Sequence, residues 1–305
     1  MIKTIIFDID NTMYSFKTGN QAGMAALCAY AKEQFGITEG EFLDKFKKGK
    51  KLAEDRVGTD TAAIHNRLIR MQVILELMGK PLFPHALNLY HCYWDALLAS
   101  AKPEPGLLEA MEALKAAGLT LGVGTDMTAY IQYKKLERLG AAPYIDFITT
   151  SEEVGAEKPN PRLFLECVRK AGVPAGECLF IGDSLAKDVR GAIGAGLQAF
   201  LYAPGSAREG TGGETVPAAG ALAPALAVVA GAVSPAPAVA LAPALAVVAG
   251  AVSPAPAVAA GALAPVLAVA AGALAPAPAV PAGVTALTSF YDLPKLVREM
   301  NAPNR

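Results

Sequence analysis

The sequence predicts an α/β fold in which a mostly parallel sheet is interrupted twice, once by a helical cap and once by a low-complexity segment. Short apolar runs alternate with amphipathic helical stretches through most of the 305 residues. One long stretch, roughly Met13–Lys102, shows helical periodicity and no good strand. A third stretch, Thr215 to Tyr291, carries no Asp, Glu, Lys, Arg or His, so every charge lies in the remainder.

Taken in order, the strand-like runs are Lys3–Asp8, Leu119–Gly124, Ile145–Thr149, Cys178–Gly182 and Gln198–Tyr202. Helical patterns lie between them at Gly106–Ala117, Ala129–Leu139, Pro161–Ala171 and Asp188–Ala195. Ala286–Phe290 and Asp292–Met300 read as a last short strand and helix. Such alternation argues for parallel strands covered on both faces. The expected partition is a core of residues 1–13, 103–216 and 284–305, a helical cap of 14–102 inserted after the first strand, and an Ala/Pro-rich loop insertion of 217–283.

The insertion is repetitive. Leu222–Val239 recurs unchanged at Leu241–Val258, and Leu263–Val280 is a third copy with four changes. It lacks the polar positions a solenoid shows to water, and Pro recurs in every copy. Its longest proline-free runs between Ala225 and Ala275 are ten residues, about half what a membrane-spanning helix needs. It is read as a mostly disordered expansion of a surface loop, with membrane association as the weaker alternative.

The net charge of −1 and pI near 6.3 argue against a nucleic-acid partner. Cys28, Cys92, Cys167 and Cys178 form no C-x-x-C pair, and scattered thiols suit a reducing compartment. The first residues reach acid at Asp8 and do not read as a signal peptide. A cytoplasmic location is expected.

Ligands of open α/β sheets bind at the carboxyl ends of the strands. Polar residues gather at these ends: Asp8 and Asp10 after the first strand, Thr125-Asp126 after the second, Glu157-Lys158-Pro159 beyond the third, and Gly182-Asp183-Ser184 with Asp188 after the fourth. Each alone reads as a cap or a surface charge, but together they suit phosphoryl transfer. One carboxylate can attack phosphorus, and a second, two residues on, can move protons for the leaving group and for water. Asp8 and Asp183 can hold Mg²⁺, while Thr125 and Lys158 meet the non-bridging oxygens. Backbone N–H groups of the turn through Asn11 and Thr12 would complete the cradle.

In order and spacing, DIDNT at 8–12, Thr125 after an apolar strand, Lys158 in EKPNP and GDSLAKD at 182–188 resemble the four motifs of the haloacid dehalogenase superfamily. The helical insertion after the first motif is similar to its C1-capped branch. The resemblance covers roughly residues 1–205 and 284–300. It implies a Rossmann-like core, Asp8 as nucleophile and Asp10 as acid/base. It further implies Mg²⁺ between Asp8 and Asp183 with the Asp10 backbone carbonyl, and phosphate contacts from Thr125 and Lys158. Ser184 and Asp188 would support from behind. Dehalogenases lack the +2 acid, so Asp10 favours a phosphatase of a small phosphorylated metabolite over a 2-haloacid dehalogenase or a phosphomutase. A scaffold that displays the repeat tract is the alternative from another class. Asp126 departs from the family's usual Asn, and a carboxylate there must point away from phosphate or pair with a cation.

In the cap, Lys45, Lys47, Lys48, Lys50 and Lys51 cluster and read as a solvated helix end sooner than as a guide for anions. Tyr14, Phe16 and Lys17 fall at the core–cap hinge, and Tyr93 and Trp94 are expected to pack the cap. His65, His85 and His91 lack metal-ligand spacing, and Gly194-Ala195-Gly196 reads as a turn. Substrate identity and oligomeric state are not legible.

Overall fold

The computed structural model describes residues 1–59, 61–204 and 284–303. The expectations for the repeat tract, including its disorder, fall outside the described residues.

The strands β1 (Thr4–Phe7), β2 (Thr120–Thr125), β3 (Phe147–Thr150), β4 (Cys178–Gly182), β5 (Gln198–Tyr202) and β6 (Thr285–Leu287) form one parallel sheet in the order β3-β2-β1-β4-β5-β6. β1 reads TIIF and is buried throughout, as a central strand covered on both faces must be. Alternation along the strands divides the core in two. Ile5, Phe7, Leu121, Val123, Leu179 and Ile181 belong to one cluster, and Ile6 and Phe180 to the other, with Leu163, Phe164 and Cys167.

Four helices lie between β1 and β2: α1 (Phe16–Phe35), α2 (Glu39–Val57), α3 (Arg67–Met78) and α4 (His85–Ser100). Each of the first three opens on a side-chain cap, from Ser15, Thr38 and Asn66, and Thr38 with Glu41 completes a capping box. α1 packs closely on α4 because Gly23 has no side chain: a Cβ there would lie 2.7 Å from the Tyr93 ring. Tyr93 and Trp94 are buried in the cap as expected.

The remaining helices are α5 (Leu107–Ala116), α6 (Ala129–Leu139), α7 (Ser151–Val154), α8 (Pro161–Ala171), α9 (Arg190–Gly194) and α10 (Leu293–Asn301). Besides one-residue shifts at β1, β2, α5 and α10, three elements differ from expectation. β3 starts at Phe147, not Ile145, because the Asp146 carboxylate accepts the Leu121 N–H at 2.8 Å and pairs with Lys115 at 2.7 Å. β6 stops at Leu287, where Ser289 caps the tight turn Phe290–Asp292. The helix expected over 188–195 becomes a π-turn at Leu185–Val189 followed by α9. That wider turn brings Asp188 back to the end of β4, where its carboxylate accepts the Ser184 N–H at 2.9 Å. π-turns of this kind gather at functional sites. Among the described residues, no helix is long and apolar enough to cross a membrane.

Candidate active site

β1 lies between β2 and β4, so the chain winds outward in opposite directions on its two sides. A crevice opens at such a switch point, beyond the carboxyl ends of the strands. Asp8 follows β1 directly, with its N–H on the Ile181 carbonyl at 2.9 Å. Thr12 and Met13 then donate back to the Ile9 carbonyl. Asn11 takes the left-handed conformation (φ 62°), and its side chain accepts the Phe16 N–H that starts α1. The cap therefore begins within the turn that follows β1.

Asp8 is 6% exposed, and its carboxylate accepts the Lys158 ammonium at 2.7 Å. Lys158 also lies 2.7 Å from Asp188. Burial pushes the Asp8 carboxyl up to about 8, with Lys158 opposing and Asp188 adding to the rise. Asp183, at the mouth of the same group, is pushed up to about 6 by burial and then by Asp188. One oxygen each from Asp8, Asp183 and Asp188 lies within 4.8 Å of the others. Three crowded carboxylates facing one lysine, with hard oxygen donors, fit a divalent cation such as Mg²⁺. Gly182 is required here, since any Cβ would collide with the Asp188 carboxyl.

Asp10 lies in a different environment. Burial favours its neutral form, but Lys135, which donates to its two oxygens at 2.7 and 2.8 Å, outweighs burial together with Tyr14 and Gln132. Tyr14 donates at 2.6 Å and Gln132 at 3.3 Å, and Asp10 is held below the usual carboxylate range. Its carboxylate is not among the three clustered ones; the cation contact that the family resemblance implies for Asp10 is through its backbone carbonyl. Tyr14 is buried, and burial plus Asp10 raise its hydroxyl far above the ordinary tyrosine range. It therefore remains a donor.

Lys135 and Gln132 escaped the motif reading. Lys135 is fully buried among Tyr14, Phe16 and Trp94, 5.6 to 5.8 Å from each ring centre. Gln132 binds the Thr125 hydroxyl at 2.7 Å and the Asp126 carbonyl at 2.8 Å. A signal was present in the helical pattern: Lys135 lies four residues from both Ile131 and Leu139, on the buried stripe of α6. A lysine on that stripe calls for a buried partner.

Thr125 (1% exposed), Asn11, Lys158, Asp183, Ser184 and Asp188 line one cleft with Asp8 and Asp10. Thr12 lies outside its lining, fully buried, and its hydroxyl has no hydrogen-bond partner among the described residues. Asp126 is paired as its position demands, accepting the Lys158 N–H at 2.8 Å and lying 3.1 Å from Lys187. From the cap, Phe16 joins the wall, whereas Lys17 is exposed. Lys47, Lys48 and Lys51 are exposed, and Lys50 alone of that run lines the cleft. His65 reaches Glu157 of the core at 3.0 Å.

The raised carboxyls have a measurable consequence. Above the ordinary carboxylate range, native Asp8 up to about pH 8 and native Asp183 up to about pH 6 hold protons that the unfolded chain has released. Without a divalent cation, stability is expected to fall as pH rises from about 4 to 8. Added Mg²⁺ should raise the melting temperature more at pH 8 than at pH 5. Calorimetry across that range checks both, and a pH-independent Mg²⁺ effect would place the cation elsewhere.

A family model described as haloacid dehalogenase-like hydrolase matches residues 2–196. The chain is 35% identical over 213 residues to a ribulose-1,5-bisphosphate 5-phosphatase of Halopiger xanaduensis, covering 69% of this chain and 89% of that one. It is 32% identical over 204 residues to a glyceraldehyde 3-phosphate phosphatase of Methanopyrus kandleri, covering 65% and 82%. Among solved structures, a 2-haloacid dehalogenase from Pseudomonas syringae pv. Tomato DC3000 matches at TM-score 0.57 and 27% identity, over 69% of this chain and 91% of that one. The fold class, the cap after β1 and these matches agree: the chain belongs to the haloacid dehalogenase-like hydrolases, as a capped phosphoric monoester hydrolase of that family.

Proposed function

We propose that the protein hydrolyses a small phosphorylated sugar or related metabolite through an aspartyl-phosphate on Asp8. The observation that carries this is Asp10, which lines the cleft with its carboxylate accepting from Tyr14 and Lys135. A departing halide needs no proton, but an alkoxide does. In the first step an Asp8 oxygen attacks phosphorus, the bond from phosphorus to the leaving oxygen breaks, and Asp10 gives that oxygen its proton. In the second, Asp10 takes a proton from water as the water oxygen attacks the same phosphorus. The acyl-phosphate bond then breaks and Asp8 is restored. The ionised form that Lys135 and Tyr14 favour at Asp10 is the one the second step uses. A phosphate dianion arriving beside it raises its proton affinity for the first.

Lys158 offsets charge between Asp8 and Asp188, and Thr125, held by Gln132, presents its hydroxyl to a non-bridging oxygen. Asp8, Asp183 and the Asp10 carbonyl would hold Mg²⁺, with Asp188 beside them; bound there, it screens nucleophile from phosphate and polarises phosphorus. The phosphorylated sugars that the Halopiger and Methanopyrus relatives are named for support the substrate class.

Release of p-nitrophenol from p-nitrophenyl phosphate, with and without Mg²⁺, against chloride release from 2-chloropropionate tests the reading. Mg²⁺-dependent phosphate hydrolysis with no dechlorination is expected. Dechlorination without phosphatase activity would contradict it. A panel of phosphorylated sugars and nucleotides compared by kcat/KM should then favour the sugars.

A further inference from the structure

The cleft has a volume of about 670 Å³, far more than one phosphoryl group fills, and its two walls carry opposite charge. The core side is crowded with carboxylates. The cap side presents Lys50, Arg67 and Arg70 against a single acid, Glu54. Lys50 and Arg70 share that acid at 3.6 and 3.7 Å.

Arg67 has no carboxylate partner among the described residues. It is placed by aromatic rings, with its guanidinium carbon 4.9 Å from the Tyr93 ring centre and 6.0 Å from that of Trp94. One terminal nitrogen donates to the Tyr93 hydroxyl at 3.2 Å, and that hydroxyl is in turn fixed on Asn20 at 2.7 Å. Its Nε is buried with no acceptor among the described residues. Arg70, one turn further along α3, differs in pairing with Glu54 but shares one feature: its side chain is 5% exposed, one nitrogen binds the Ile64 carbonyl, and its Nε has no acceptor among the described residues. Buried guanidinium donors without acceptors are costly unless a ligand completes them. A rigidly stacked fork with free donors is suited to a phosphate or carboxylate.

We infer that Arg67, with Arg70 and Lys50, forms a subsite on the cap for a second anionic group of the substrate. The substrate is then a phosphomonoester with a further phosphate or carboxylate at its far end. This rests on the phosphatase reading and goes beyond it, because Lys158 and Thr125 already serve the scissile group. A compact phosphomonoester with a neutral far end leaves the Arg67 and Arg70 donors unmet.

Matched substrates test this: 1,3-propanediol monophosphate, its bisphosphate and 3-(phosphonooxy)propanoate, with p-nitrophenyl phosphate as reference. The wild-type protein should favour one or both dianchored compounds over the monophosphate by about 10- to 100-fold in kcat/KM, mostly through KM. The bisphosphate and carboxylate arms show which anion the site takes. R67M should erase most of that preference, and R67K, which keeps the charge and loses the fork, should retain part of it. Melting curves of both variants report folding. An equal loss by R67M on all four substrates would place Arg67 at the scissile phosphate, and no wild-type preference would remove the subsite. Either result overturns the inference while leaving the phosphatase reading intact. Failure of the wild-type protein on all four would instead overturn the phosphatase reading itself.

Discussion

Asp8→Asn is expected to lower phosphomonoester turnover by roughly 10⁴-fold or more, as loss of a covalent nucleophile does, without unfolding the protein. Asp8 is the carboxylate in which the proposed nucleophilicity and instability coincide. It is buried, pressed by Asp188 and Asp10, and opposed by a lysine it shares with Asp188. An amide of the same shape removes the repulsion and leaves Lys158 paired with Asp188. Above pH 6 and without a divalent cation, the variant should melt at or above the wild-type temperature. This is the stability–activity conflict of a strained site. A variant that melts well below wild type would show that the Lys158–Asp8 pair is the dominant stabilising contact. Retained turnover would move the nucleophile elsewhere.

Asp10→Asn should have a different signature. Loss of proton transfer is worth about 10²–10⁴-fold, with the larger loss on alkyl phosphates, whose leaving oxygens need the proton, than on p-nitrophenyl phosphate. Here, however, the substitution should also destabilise the fold. Lys135 is fully buried, and Asp10 is the only carboxylate within ion-pair distance of it among the described residues. Breaking such a pair from one side costs roughly 3 kcal/mol, because the remaining charge is stranded. Lys135→Met alone should strand Asp10 and raise its pKa. The double variant Asp10→Asn/Lys135→Met should recover most of the stability and none of the turnover. Denaturant unfolding of the four proteins, with kinetics on both leaving groups, closes the cycle. Independent, additive losses of stability would contradict the coupling.

Lys135 also shows where sequence reading stops. The strand-end residues Asp8, Thr125, Lys158 and Asp183 were legible because a parallel sheet converts strand order into proximity: knowing the strands brings their ends together. β4, β5, α6 and α8 have the expected bounds for the same local reason. Lys135 lies in YKKLERL, within a helical pattern that places it on the buried stripe but does not name its partner. Its role depends on Tyr14, Phe16 and Trp94 arriving from the cap, across 119 or more positions for the first two. Arg67 and Arg70 were invisible for a similar reason, since only packing shows that one is stacked and lacks an acid. The π-turn at Leu185–Val189 is set by the Asp188 carboxylate reaching back to Ser184, which helical periodicity cannot register. Asp126 was legible as an anomaly, and its resolution by Lys187 was not.

The central claim is that phosphate passes through the Asp8 carboxylate. Borohydride reduces an acyl-phosphate to an alcohol, so quenching the enzyme with it during turnover converts the phosphorylated aspartate to homoserine. Peptide mass spectrometry then identifies the position. The expected result is homoserine at position 8, formed only when substrate is present and absent in Asp8→Asn. Homoserine at position 10 or 183, or steady turnover with no reducible aspartate, would contradict it.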